Sequence, residues 1–306
     1  MLAGRGINLG NALDTKGDGP WTAWLRPRHI DLVVAAGFDW VRLPVMWSAH
    51  ADLRPPYGID PRFLTFVDRW IDRTLANGLD VVINMHHYDE LSEATDTHAD
   101  RFLALWDQIA AHYADRPGRL HFELLNEPHD PMTAEGWNDL VVAALEVVRP
   151  TNPDRTVIVG PLQANAVEAL PQLILPPDPH LAAGVHYYAP FWFTHQGAPW
   201  IPAADQWTGT TWGSEDEHDR VRHDLAAAAT WASDHGVPLV VGEFGTYQAG
   251  EMGARARWTR CVREQAEQLG LAWAYWDFGT DFGLYDLHRD TWHEPLLQAL
   301  RPPATH

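Results

Sequence analysis

The chain has 306 residues, 46% of them hydrophobic and 21% charged, the balance of a globular protein with a sizeable buried core. With 22 Lys+Arg against 41 Asp+Glu its formal net charge is −19, so its surface repels phosphate and a nucleic-acid partner is excluded. Lys16, the one lysine, reads as compositional bias with no mechanistic use.

Taken in chain order, eight short apolar runs alternate with longer amphipathic stretches: GRGINLG, FDWVRLPV, LDVVINMH, LHFELLN, TVIVGP, AAGVHYY, PLVVGEF and LAWAYWDF. Runs that are apolar throughout suit parallel strands buried on both faces. Between them lie helix-like segments such as PRHIDLVVAAG, PRFLTFVDRWIDRTLANG, RFLALWDQIAAHYAD, EGWNDLVVAALEVVRP, DEHDRVRHDLAAAATWASDHG and ARWTRCVREQAEQLG. Several start at Pro or an acidic residue and stop at Gly. Eight units in 306 residues is about 38 residues each, as in an α/β (β/α)8 TIM barrel whose active site sits at the C-terminal face of the strands. A doubly wound sheet is the rival, but GINLGNALD carries no G-x-G-x-x-G turn. No linker or repeat divides the chain, so residues 1–306 are read as a single domain. The longest irregular stretch, residues 189–215, follows the sixth run and holds four tryptophans.

Two counts bear on function. The single cysteine, Cys261, rules out an internal disulfide, a thiolate zinc site and an iron–sulfur cluster; in a helix-like stretch it reads as a packed or surface thiol. Sixteen tryptophans are many for core filling alone, because a buried indole N–H wants a partner. Either most of them pack, or several form flat platforms in a sugar-binding cleft.

Polar residues close the apolar runs. Arg42 ends the second, His86 and His87 the third, Asn126 and Glu127 the fourth, His186 and Tyr188 the sixth, Glu243 the seventh and Trp276 the eighth. A strand-end residue can simply cap the next helix, but six strands at once point to one mouth. Glu127 and Glu243 face each other across it. Such a pair suits glycoside hydrolysis, one carboxyl protonating the leaving oxygen and the other attacking or activating water. It also suits a two-carboxylate metal site. Against metal, no H-E-x-x-H occurs, and His86 and His87, as adjacent strand residues, should face opposite sides. No metal and no cofactor is expected.

The motifs VRLPVMW, INMHHY, FELLNEPH, VHYYAPFWFTHQGAPW, VGEFGTY and AWAYWDFGTDFGLYD resemble the strand-end motifs of glycoside hydrolase family 5, and within it they are most similar to bacterial cellulase-type endo-β-1,4-glucanases. The resemblance spans nearly the whole chain. It implies a retaining hydrolase of internal β-1,4-glucosidic bonds, with Glu127 as acid/base and Glu243 as nucleophile. It also implies that Asn126 bonds the sugar 2-hydroxyl, that Arg42, His186 and Tyr188 hold and ionise the nucleophile, that His86 binds sugar hydroxyls, and that Trp276 is the platform beneath the sugar. The residues agree in one respect: an Arg beside Glu243 should lower its pKa, while Glu127 must stay protonated.

Softer candidates surround these. Asn11 and His87 either reach the cleft or cap loops. Among Trp47, Trp192, Trp200, Trp207 and Trp212, the pair Trp192 and Trp200 beside FTHQGA is favoured for stacking. His129 is either a partner of Glu127 or a surface residue. The expected partner is a β-glucan polysaccharide or oligosaccharide, acted on by a monomer. A β-mannanase, a xyloglucanase or an intracellular β-glycosidase acting on short oligosaccharides is the alternative, and a non-catalytic sugar-binding barrel is disfavoured because both glutamates are present. No apolar run reaches the ~18 residues of a membrane span, so no membrane partner is expected, and MLAGRGINLG is too short and polar for a signal peptide. Action on a polysaccharide then implies secretion with the leader absent from this chain; a cytoplasmic enzyme is the other reading.

Overall fold

The computed structural model describes residues 2–15 and 24–301; Lys16 lies outside them. Eight parallel strands close into a barrel in the order β1 to β8: Arg5–Asn8, Trp40–Leu43, Asp80–Asn84, Leu120–Glu123, Val157–Val159, Leu181–His186, Leu239–Phe244 and Ala272–Tyr275. Closure comes from β1, which pairs with β2 on one side and β8 on the other. All eight apolar runs are strands, and the six helix-like segments are helices. Their ends follow local chemistry: Pro27 opens the helix Pro27–Ala36 and Gly37, at φ 84°, ends it. The helix Glu215–His235 starts with a Ser214–Glu217 capping box and stops at Gly236.

Alternation along the strands separates two cores. Trp40, Val82, Ile158, Ala182, Val240, Ala272 and Ala274 from six strands pack together inside the barrel. A larger cluster, including Val41, Val81, Ile83, Phe122, Val241 and Phe244, lies between strands and helices. Trp40 fills the barrel floor because Gly6 makes room; a Cβ there would stand 2.4 Å from its ring. Two residues further up, the inward positions turn polar: Arg42 above Trp40, Asn84 above Val82, and Asn8 above Gly6, all buried. The period of two that builds the floor thus also builds the site.

Strand β7 breaks that period once. Val185 pairs with Val241 but the next residue, His186, pairs with Glu243, so Gly242 is an extra residue. Strict alternation from inward Val240 would point Glu243 at the helices. The bulge turns it inward, beside His186.

Candidate active site

The strand ends open into a cleft of about 760 Å³ lined by Asn11, His86, His87, Asn126, Glu127, His186, Tyr188, Trp200, Glu243 and Trp276, among others. At its base Arg42 is the hub. Its Nη1 donates to Glu243 Oε1 at 2.5 Å and to Asn8 Oδ1 at 3.0 Å. Its Nη2 donates to Asn126 Oδ1 at 2.7 Å and to Glu123 Oε1 at 2.9 Å, and its Nε donates to Glu123 Oε2 at 2.6 Å. Five N–H groups meet five acceptors, the full capacity of a guanidinium. Tyr188 donates its hydroxyl to the other Glu243 oxygen at 2.9 Å.

The resemblance implied that His186 holds Glu243, but its shorter contact is with Glu127. Its Nδ1 lies 2.7 Å from Glu127 Oε1 and 3.6 Å from Glu243 Oε2, so it bridges the two carboxylates and bonds the first. One oxygen of Glu127 and one of Glu243 lie within 4.8 Å of each other. Glu127 itself stands at φ 49°, in the left-handed region, a conformation that costs energy and collects at functional sites.

The directions in which the two carboxyls are shifted differ from the sequence expectation. Burial pushes the Glu243 carboxyl above the usual range, against the pull of His186 and Arg42. Arg42 cannot overcome it because Glu123, itself buried, already balances the guanidinium charge. Burial pushes Glu127 up as well, yet the bond and charge of His186, with Arg42 and His87, outweigh it and bring its pKa below the ordinary value. For His186, burial is outweighed by Glu243 and Glu127, and its pKa is raised.

The floor is Trp276. Its ring packs on Gly10, where a Cβ would come within 2.6 Å, and lies parallel to the His86 ring at 5.8 Å between centroids and 4°. His86 and His87 do converge, contrary to the alternation argument: their Nε2 atoms lie 3.8 and 4.0 Å from Asp14 Oδ2. β3 ends at Asn84 and His87 has φ 51°, so strand geometry no longer applies there. Asp14, His86 and His87 have the spacing of a metal group, but their hydrogen bonding argues otherwise. Asn84 Oδ1 accepts from the Val45 N–H at 3.2 Å, which turns its amide nitrogen to His86 Nδ1 at 3.1 Å. His86 then carries its proton on Nε2 and is a donor to the cleft. Asn11 is placed at the cleft wall by donating to Thr280 Oγ1 at 2.7 Å.

Of the five candidate stacking tryptophans, Trp200 lines the cleft, half exposed, against Tyr247 and Phe282. Trp192 is exposed but lies off the lining. Trp47 and Trp212 are buried in the core, and Trp207 packs edge-on against Phe191; most tryptophans simply pack. The segment 189–215 is ordered by Gln196, fully buried, which donates to the Phe193 and Thr210 carbonyls and accepts from the Gly209 N–H, each at 3.0 Å. His129 donates from Nδ1 to the Glu127 carbonyl at 2.8 Å and does not line the cleft. Sequence reading missed Glu123, Asn8, Asn84 and Asp14. A polar residue inside an apolar run, two positions above an inward neighbour, was the available signal for the first three.

A closed parallel barrel with a carboxylate pair and an aromatic floor at its C-terminal mouth is the glycosidase form of the (β/α)8 architecture. The family model described as Cellulase (glycosyl hydrolase family 5) matches residues 12–281, and the chain belongs to that family. It is 32% identical to Endoglucanase H of Acetivibrio thermocellus over 99% of this chain but 33% of that protein, so it spans about a third of that relative. With Endoglucanase B of Clostridium cellulovorans it shares 29% identity, over 96% of this chain and 72% of that one. Among solved structures, Thermotoga maritima Cel5A in complex with cellobiose superposes with a TM-score of 0.95 at 42% identity, covering 97% of each chain. Cellulose synthase subunit Z of Clostridioides difficile does so at 0.95 and 34%, covering 98% of this chain and all of that one.

Proposed function

We propose that this chain is a retaining endo-β-1,4-glucanase domain in which Glu127 is the acid/base and Glu243 the nucleophile. The observation that carries it is the approach of their oxygens to within 4.8 Å: retaining pairs stand about 5–5.5 Å apart, inverting pairs about 6.5–9.5 Å. In the first step a Glu243 oxygen attacks the anomeric carbon while Glu127 gives its proton to the departing oxygen. In the second, Glu127 takes a proton from water, whose oxygen attacks the same carbon and releases Glu243. Arg42 and Tyr188 each hold one Glu243 oxygen, fixing the plane of attack. Glu127 is the more open of the two, its side chain 34% exposed against 5% for Glu243. A bound sugar therefore desolvates Glu127 most and raises its pKa toward the protonated form the first step needs. Asn126, Trp276 and His86 contact the sugar at the cleavage point, and Asn11, His87 and Trp200 extend the cleft.

A polymeric substrate places the enzyme outside the cell, acting as a monomer whose site is drawn from one chain. A second reading, mannan cleavage, is favoured by one observation: the similar Thermotoga maritima Cel5A has also been solved in complex with mannotriose. The test is a product profile on carboxymethylcellulose, barley glucan, lichenan, xyloglucan, galactomannan and cello-oligosaccharides, with the anomer of the first product read by NMR. Internal cleavage of β-1,4-glucans with initial β-product is expected. Initial α-product would overturn retention, and turnover of galactomannan alone would overturn the glucanase reading.

A further inference from the structure

After β5, Gln163, Ala164 and Asn165 all have φ 58°. Three successive left-handed L-residues are costly and persist only where their surroundings hold them. Here the turn is tied at its centre and just after it: the Ala164 N–H donates to the Pro128 carbonyl at 3.1 Å, and Ala166 bridges to His186 on β6. The turn delivers Asn165, fully buried, to His186, with Nδ2 3.3 Å from Nε2. Gly160 keeps that place open, since a Cβ there would stand 2.2 Å from Asn165 Oδ1.

In this orientation Asn165 Oδ1 is buried without a hydrogen-bond partner. Turning the amide over moves Nδ2 to the place where the oxygen finds no donor, and lets Oδ1 accept from a proton on Nε2. That pairing requires His186 to carry a proton on Nε2 in addition to the one Nδ1 shares with Glu127. The charged and titratable groups facing the ring agree: Glu127 after β4 and Glu243 on β7 favour the cation, Arg42 on β2 opposes it, and Glu123 offsets Arg42. His86 after β3 is held neutral by burial, and Tyr188 bonds Glu243.

We propose that Asn165 is a positioning residue that holds His186 as an imidazolium between Glu127 and Glu243, storing the proton that Glu127 uses as the acid. When sugar desolvates Glu127, the Nδ1 proton crosses the 2.7 Å bond to Glu127 Oε1. His186 becomes neutral with its remaining proton on Nε2, bonded to Asn165, and Glu127 becomes the neutral acid. The inference rests on the acid/base assignment of Glu127.

The test compares Asn165→Leu and Asn165→Asp in the full chain by kcat/KM against pH on a cello-oligosaccharide and on a dinitrophenyl cellobioside, whose leaving group needs no acid. Asn165→Leu should move the basic limb on the oligosaccharide down by about one pH unit, while Asn165→Asp should restore or raise it. The dinitrophenyl substrate should lose far less in Asn165→Leu. A basic limb unmoved in a folded Asn165→Leu overturns the proposal. Independently, ¹⁵N NMR of histidine-labelled wild type, with His186 assigned by its loss in His186→Gln, should show both ring nitrogens protonated at pH 6. A bare Nε2 there overturns it even if Asn165→Leu does not fold. If neither substrate is turned over by wild type, the glucanase reading fails while the NMR result still decides the state of His186.

Discussion

Glu123 and Arg42 form a two-bond ion pair inside the barrel, Nε to Oε2 at 2.6 Å and Nη2 to Oε1 at 2.9 Å, with both side chains buried. The pair makes Arg42 a nearly neutral support, which holds Glu243 in place with less charge than an isolated guanidinium would lend. Its consequences are measurable. Glu123→Gln leaves an acceptor oxygen but frees the Arg42 charge for Glu243, so the pKa of Glu243 falls and the acidic limb of kcat/KM moves to lower pH by about one unit. Arg42→Met should move the same limb upward, and Tyr188→Phe upward by less, because a neutral hydrogen bond favours the carboxylate more weakly than a charge. The limbs belong to the coupled pair. An acidic limb indifferent to Glu123→Gln would show that Arg42 acts on Glu243 by geometry alone.

The two glutamates should separate by chemical rescue. Glu127→Ala should lose about 10²–10⁴-fold on substrates with poor leaving groups, keep the first step on dinitrophenyl cellobioside, and regain turnover with azide as β-glycosyl azide. Glu243→Ala should form no covalent intermediate and, with azide, yield product of the opposite anomer if any. The reverse pattern, read by NMR of the azide product, would exchange the two roles.

Trp200 and Trp192 offer a paired control. Both are about half exposed, but only Trp200 lines the cleft. Trp200→Ala should raise KM for cello-oligosaccharides several-fold, because it removes a flat aromatic platform from the cleft. Trp192→Ala should leave KM within error. Equal effects in steady-state kinetics would place both on the substrate path.

Asp277, next to the Trp276 platform, is fully buried, and burial pushes its carboxyl up to about 7. Its unfolded value is near 4, so the folded state keeps the proton that the unfolded chain loses between about pH 4 and 7. Stability from this group is therefore present below pH 4 and is lost as pH rises to 7, by roughly 4 kcal/mol at most. Asn at this position mimics the protonated carboxyl and still accepts from the Thr280 N–H, as Asp277 does at 3.3 Å. Thermal melts from pH 4 to 8 should show Asp277→Asn gaining on wild type as pH rises. A constant difference across that range would mean that Asp277 does not titrate in it.

The barrel was legible in the chain because parallel strands buried on both faces must be apolar throughout, and helices between them must be amphipathic. Arg42, Glu127 and Trp276 were legible for a related reason: a polar or aromatic residue at the end of an apolar run lies near the mouth. Pairings across the barrel were not. Glu123 meets Arg42 from two strands away, and Asn165 reaches His186 only through a left-handed turn that no hydrophobic period encodes. His87 turns toward Asp14 because the strand has already ended. Glu243 points inward only because Gly242 is an extra residue in β7, which its β-rich run VVGEF does not reveal. Residue types and strand order are local properties, written along the chain. Which charge neutralises which, and so where the site keeps its protons, depends on distances among eight strands that exist only once the barrel is closed.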